Sequence, residues 1–384
     1  MTEMLDVFTF LKDGLSEFKD NGIYDSGLRN CCLRLNELLN FVEIQDYDRH
    51  LDEKESRITR EINYISGIIN ESLFLDLSII VDLLYDYQRD RKIKERDHYY
   101  HSIQCFLLAI ALIGKFLPNC PLPSDITAIL FSLTMYHDIG YLYRSIKTSD
   151  NKSLSNLFRC NDDFHAHDMG NLLCLPKKIR SKDSMASIVN EIRKSEEIKN
   201  IWELESFEGQ DILRNIIGEK LFIEIKKESH AYYSALLLAK AYKTKKLIME
   251  FCEDIPEFSV ADSKDDWFIK ITKAVCLHGF ETLSPPIDLE NDFYSAYLMI
   301  IDELQTYGRL LSDDTNNVLI NPKDVGFHWH KTYSDMLVID IITPDIDLKE
   351  KYAAHSYERI YSTLNKKIDK KSLSNIWNPS PHIK

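Results

Sequence analysis

Glycine and proline are scarce in this chain, 12 and 11 among 384 residues, and no tract is low in complexity or repeated. Collagen-like, linker-dominated and disordered architectures are thereby excluded. The eight cysteines include no CxxC pair; Cys31 and Cys32 are neighbours poorly placed to bridge, and Cys105 and Cys276 lie in apolar runs. They read as reduced, mostly buried thiols rather than a disulfide frame. Basic residues are in deficit: 47 Lys and Arg face 61 Asp and Glu, a formal charge of −14. That balance repels polyanions and argues against a broad duplex-binding surface, leaving room for a local basic pocket around a small phosphate ligand. The richest apolar run, Phe106 to Ile113, is bounded by Gln104 and Lys115 and falls short of a bilayer span, so no membrane partner is expected. The opening MTEMLDVFTFLKDG carries acids where a secretory signal is basic, which points to the cytoplasm. The absence of GxxxxGK[ST], GxGxxG and GxSxG removes the usual kinase, dinucleotide and serine-hydrolase signatures.

What is present is the composition of a folded protein, 44% apolar and 11% aromatic, long enough for about two and a half domains of ordinary size. Helical spacing dominates residues 1–117, as in Leu33, Leu35, Leu38, Leu39 and again in Leu75, Ile79, Ile80, Leu83, Leu84. Pro118, Pro121 and Pro123 interrupt it, and a new helix is expected through Ile126, Ile129, Leu130, Leu133 and Tyr136 up to His137-Asp138. A polar stretch over about 145–225 reads as an insertion of short helices and loops. Helices are expected again at Phe222–Tyr242, Trp267–Leu277 and Phe293–Leu311. From Asn317 the runs Val318-Leu319-Ile320 and Met336–Ile342 are β-branched and short, which predicts a small sheet, followed by a helix over about Leu348–Ile368. The expected fold is mainly α: a helical N-terminal extension (1–94), a helical bundle (95–312) carrying the insertion, and a small C-terminal α+β appendage (313–384).

Seven residues carry the chemistry. His98 and His101 share a helix face, three positions apart. His137 and Asp138 are adjacent at a helix end and precede Ile139-Gly140; His230 opens the apolar segment AYYSALLLAK; His278 closes KITKAVCLHGF; Asp302 lies inside AYLMIIDELQTYGR. One imidazole on an apolar face is usually a hydrogen-bonded core residue. Together they are more informative, because burying a carboxylate and several imidazoles among Leu and Ile is costly and one divalent cation compensates them all. Imidazole and carboxylate donors without thiolate suit Mn, Fe, Ni, Co or Zn in an open, catalytic kind of site.

The order His, His-Asp, His, His, Asp on successive helices resembles the HD superfamily of metal-dependent phosphohydrolases, in DHYYHSIQCFLLA, MYHDIGYLYRS, ESHAYYSALLLAK, AVCLHGF and IIDELQTYGR, across roughly residues 95–312. The last segment is similar to the DELQ-x-x-GR of many bacterial HD proteins. The resemblance implies an HD-type bundle in which His101, His137, Asp138 and Asp302 bind one metal, while His230 and His278 complete a second position bridged by Asp138. One or two divalent ions are expected, Mg included. Hydrolysis of a phosphate ester, most of all a nucleotide or cyclic nucleotide, follows from a water activated between two such ions. Tyr141 stands where the branch that hydrolyses cyclic dinucleotides commonly has lysine, a departure from that branch. Asp138, Tyr141, Arg144 and Arg309 are the catalytic candidates; His98, Gln305 and Arg309 are the candidate substrate contacts, Gln305 and Arg309 repeating the face of Asp302 at i+3 and i+7. A di-iron oxygenase of this fold acting on a small molecule and a non-catalytic nucleotide-binding module remain as alternatives, and a homo-oligomer is left open.

Competing features are weaker. His165, His167 and Asp168 follow Asn161-Asp162-Asp163 and read as a surface loop; His328 and His330 alternate beside Trp329 as on a strand face; the basic run Arg89–Arg96 is interleaved with acids and reads as a charged helix face.

Overall fold

A computed structural model describes residues 5–18, 26–40, 51–73, 98–116, 126–141, 195–202, 206–225, 229–251, 265–289, 291–305, 310–313, 316–319, 325–330, 336–341, 364 and 366–369. Among these the fold is mainly α, as the apolar spacing predicts. In chain order the helices are α1 (Val7–Glu17), α2 (Ser26–Asn40), α3 (Leu51–Leu73), α4 (His98–Phe116), α5 (Ile126–Tyr136), α6 (Glu196–Trp202), α7 (Phe207–Ile217), α8 (Glu219–Glu224), α9 (His230–Phe251), α10 (Asp265–His278) and α11 (Phe293–Leu304). The strands are β1 (Leu5–Asp6), β2 (Leu310–Asp313), β3 (Asn316–Leu319), β4 (Val325–His330) and β5 (Met336–Ile341). No described helix is long and apolar enough to cross a membrane.

The chain divides into two compact units. One comprises residues 1–65, 91–130 and 281–384; the other comprises 66–90 and 131–280.

In the first unit α1 lies directly on α4 because small residues let the backbones approach. A side chain on Gly14 would meet the backbone and Cβ of Ala111 at 2.8 Å, and Gly114 opposes the carbonyl of Gly14 in return. α11 is fixed to α4 by the Tyr297 hydroxyl, which donates to the Ala109 carbonyl at 2.6 Å. Burial drives the Tyr297 phenol above its ordinary range, so it stays a neutral donor. The interior of α4, from Ile103 to Ile113, is at most 2% exposed apart from Gln104 at 7%. α2 and α3 are joined by a polar contact: Arg34 donates to both Glu61 oxygens, Nε at 3.0 Å and Nη2 at 2.7 Å, and the buried Cys31 thiol donates to the same carboxylate at 2.8 Å. Burial raises Cys31 and Cys32 well above the usual thiol range, so both remain protonated, and neither they nor Cys105 and Cys276 form a disulfide.

The same unit holds the strands. β1, β4 and β5 form an antiparallel sheet in that order, with Leu5 opposite Phe327 and Phe327 opposite Ile339, and β2 and β3 form a hairpin with Leu311 opposite Val318. The C-terminal sheet expected from the β-branched runs is therefore present, and it recruits the N-terminal Leu5-Asp6. The helix expected over Phe293–Leu311 stops at Leu304; Leu310 and Leu311 belong to β2 instead. The expected helix Leu75–Leu84 and most of Leu348–Ile368 lie outside the described residues.

In the second unit α9 packs along α10 and α7, and α6 and α8 fold against α7. Ser206 caps α7 by accepting from the Gly209 amide at 3.0 Å, and Gly218, at φ 88°, closes it in a conformation that other residues rarely adopt. The continuous helix expected from Phe222 to Tyr242 is two helices. α8 ends at Ile225, whose ψ of 135° is extended, and a new helix starts at His230. The break makes His230 a helix-terminal residue, free to turn toward the end of α5.

Candidate metal centre

Each unit presents a cluster of metal-ligating side chains. In the second unit α5 ends at Tyr136 and the chain turns through His137, Asp138 and Ile139, with the Ile139 amide donating to Tyr136 at 3.3 Å and the Tyr141 amide to Asp138 at 3.1 Å. His137 is fully buried and Asp138 4% exposed. The turn is held by Ser234 of α9, whose hydroxyl accepts from the Gly140 amide at 2.8 Å and donates to the His137 carbonyl at 2.7 Å. Glycine is required at 140, since a Cβ there would run into the carbonyl of His230 and lie 2.7 Å from the Ser234 nitrogen.

The protons on the rings follow from their partners. His137 Nδ1 contacts the Thr134 carbonyl at 2.6 Å and His278 Nδ1 contacts the Val275 carbonyl at 2.5 Å. A carbonyl only accepts, so both Nδ1 atoms carry hydrogen and, in the neutral ring, both Nε2 atoms carry a lone pair. These lone pairs converge. His278 Nε2 lies 3.0 Å from His230 Nε2, Asp138 Oδ1 lies 3.5 Å from His230 Nε2 and 3.6 Å from His137 Nε2. Donor atoms of Asp138, His230 and His278 all fall within 4.8 Å of one another. Two imidazole nitrogens and a carboxylate this close repel unless a proton or a cation lies among them, and only His230, its side chain 23% exposed, is open to solvent to any extent. Tyr141 covers the outer side of His230, its ring stacked at 4.3 Å and 10°. The Cys276 thiol of α10 is fully buried, and burial pushes it above its ordinary range.

In the first unit His101, 3% exposed in the opening turn of α4, meets Asp302 of α11, with Nε2 3.0 Å from Oδ1. Its Nδ1 makes a close contact with the Oε1 of Gln305, and Gln305 Nε2 donates to Gln104 Oε1 at 2.6 Å. Cys105 sits one turn along, its sulfur 3.6 Å from Nδ1 and 3.7 Å from Nε2. Equal separation from both nitrogens places the thiol against the ring rather than in line with one lone pair. His101, Cys105 and Asp302 form a second group of donors able to hold an ion.

The residues singled out in the sequence are thus distributed as follows. His137, Asp138, His230 and His278 come together, with Tyr141 against them. His101 and Asp302 come together in the other unit, and Gln305, expected to contact substrate, is wholly buried on His101. His98 is the first residue of α4. Arg144, Arg309, His165, His167 and Asp168 lie outside the described residues. His328 and His330 stand in β4, opposite Val338 and Met336. The supporting residues Thr134, Ser234, Gln104 and Cys105 were not anticipated; Gln104 alone carried a signal, as the polar residue ahead of the apolar run of α4.

No family model, no curated protein and no solved structure matches the chain. What stands is a mainly helical protein with clustered His, Asp and Cys side chains that could hold a metal ion.

Proposed function

We propose that the protein is a metal-dependent phosphohydrolase of the HD type, acting on a phosphate ester and above all on a nucleotide or cyclic nucleotide. The observation that carries the reading is the 3.0 Å approach of His230 Nε2 to His278 Nε2 beside the buried Asp138 carboxylate, with the His278 Nδ1 proton already committed to Val275. Three such donors could hold a divalent cation, and their imidazole and carboxylate chemistry suits Mn, Fe, Co, Ni or Zn better than Mg. Such an ion, when bound, would lower the pKa of a water toward neutrality and offset negative charge on a phosphoryl oxygen.

The chain's own residues have separate parts. His137 and His278 have their Nδ1 protons held by backbone carbonyls, which leaves Nε2 of each ring as the ligand atom. Asp138 supplies negative charge at the centre, and Ser234 holds the turn on which it sits. Tyr141 closes one side of His230 and offers a hydroxyl toward a bound ester. The family pattern also makes His101 and Asp302 metal ligands, within their own unit, and Arg144 and Arg309 phosphate contacts. The net charge of −14 makes a small ester a better substrate than a duplex.

The test is metal analysis of the purified protein joined to a panel of nucleotides, cyclic nucleotides and generic phosphodiesters with Mg, Mn, Zn, Ni or Fe added, run without oxygen. The proposal expects phosphate or a monophosphate to be released with a redox-inert ion, and Asp138→Ala to lose both metal and turnover. Activity confined to iron and dioxygen would replace it with oxygenase chemistry. Tight nucleotide binding without turnover under every metal would replace it with a signalling module.

A further inference from the structure

The contact between His101 and Asp302 can be made in two ways, and they differ in chemistry. With the proton on Nε2, His101 donates to Asp302 and the pair is an ordinary buried hydrogen bond. With the proton on Nδ1, Nε2 offers a lone pair alongside the carboxylate, and the two can share a cation. The choice is made behind the ring. Gln305 turns its Oε1 to His101 Nδ1, and an amide oxygen only accepts, so Nδ1 carries the hydrogen. In this arrangement its Nε2 donates at 2.6 Å to Oε1 of Gln104, so turning the Gln305 amide alone would set two donors against each other and two acceptors against each other. Gln305 is fully buried and Gln104 7% exposed, so water does not compete for either contact. His137 and His278 are held in the same Nδ1-protonated form by main-chain carbonyls.

We propose that Gln104 and Gln305 form a two-amide relay that locks His101 as a metal ligand, Gln305 being a positioning residue rather than a substrate contact. The inference rests on the metal reading of the previous subsection and deepens it. It also explains the spacing: Asp302 and Gln305 are three apart, so the last turn of α11 delivers the carboxylate to one ring nitrogen and the amide to the other. An amide, unlike a carboxylate, leaves the ring no more basic than a backbone carbonyl would, so the three histidines His101, His137 and His278 donate with similar strength.

The experiment begins with metal-free protein labelled with nitrogen-15 in histidine. Its NMR spectrum reports the tautomer of His101, assigned by its loss in His101→Gln. The expected result is hydrogen on Nδ1. Hydrogen on Nε2 would overturn the proposal, whether or not the protein binds metal. Zinc affinity by chelator competition is then compared in three proteins. Gln305→Leu should bind the ion held by His101 roughly 10–100-fold more weakly than wild type, the usual cost of losing an outer-shell partner, and should populate both tautomers. Gln305→Glu keeps an acceptor on Nδ1 and should restore both the tautomer and the affinity. Gln305→Leu with wild-type affinity and tautomer would refute the relay. Should Gln305→Leu fail to fold, Gln104→Ala serves, since it frees the Gln305 amide to turn and should mix the tautomers. A wild-type protein that takes up no zinc defeats the proposed function, while the tautomer measurement still decides the relay.

Discussion

Ser234→Ala is the sharpest test of how the His137-Asp138 turn is held. The hydroxyl is fully buried and makes two hydrogen bonds, accepting from Gly140 at 2.8 Å and donating to the His137 carbonyl at 2.7 Å. Removing it leaves the Gly140 amide without this acceptor in a site that water does not reach. Orphaning one buried donor costs about 1–3 kcal/mol, and the lost bond to the His137 carbonyl adds less, because an oxygen tolerates under-satisfaction better than an N–H does. The alanine itself creates almost no cavity. The predicted outcome is therefore a loss of about 1–3 kcal/mol confined to the second unit, where residues 131–280 reside, with weaker zinc binding as the turn drifts from His230. Urea denaturation followed by fluorescence, with zinc titration of the same preparation, measures both. A variant with the wild-type midpoint and the wild-type zinc affinity would refute the claim that Ser234 fixes the turn.

Gly140→Ala should be more severe: the new methyl meets the backbone of His230 and Ser234 rather than a flexible side chain, so folded yield or melting temperature should fall by an overpacking cost of about 3 kcal/mol, and wild-type melting would show that the backbones can part. Arg34, with a smaller contribution from the Cys31 thiol, pulls the Glu61 carboxyl below its ordinary value against the opposing effect of burial. A group whose folded pKa is lowered contributes stability above its unfolded value, and that stability is lost as pH falls through the folded one. Glu61→Gln should therefore lose about 1 kcal/mol at pH 7, a figure kept low because Arg34 is half exposed, and show a flatter acid limb in denaturation midpoints below about pH 4.5; parallel profiles for the two proteins would contradict this. Tyr141→Phe keeps the ring on His230 and should keep the metal, while phosphate release falls roughly 10²–10³-fold through loss of a transition-state donor; unchanged turnover would return Tyr141 to a packing role.

The helices were legible where apolar residues run densely between punctuated ends, as for α5 and the start of α9, or line one face, as for α10. Their ends were less so. Leu310 and Leu311 continue the helical spacing of α11, yet they are drawn into a hairpin by pairing with Leu319 and Val318, a contact that no local pattern announces. The two residues of β1 are likewise a strand only because β4 lies beside them. At the site, the residues with distinctive chemistry stood out because His and Asp in apolar helices are costly. Their supports did not. Ser234 and Thr134 are ordinary in sequence and gain meaning from a backbone group 94–97 positions away or one turn behind. Gln305 was legible as a site residue, but helical spacing places it near Asp302 without saying which way its amide faces.

The central claim is that His230, His278 and Asp138 hold a divalent ion. The most direct measurement is anomalous diffraction from crystals of the zinc-loaded protein. The expected result is a peak about 2.0–2.2 Å from Nε2 of His230, Nε2 of His278 and a carboxylate oxygen of Asp138. A fully loaded crystal whose zinc lies more than about 5 Å from all three, far outside ligand distance, would contradict it.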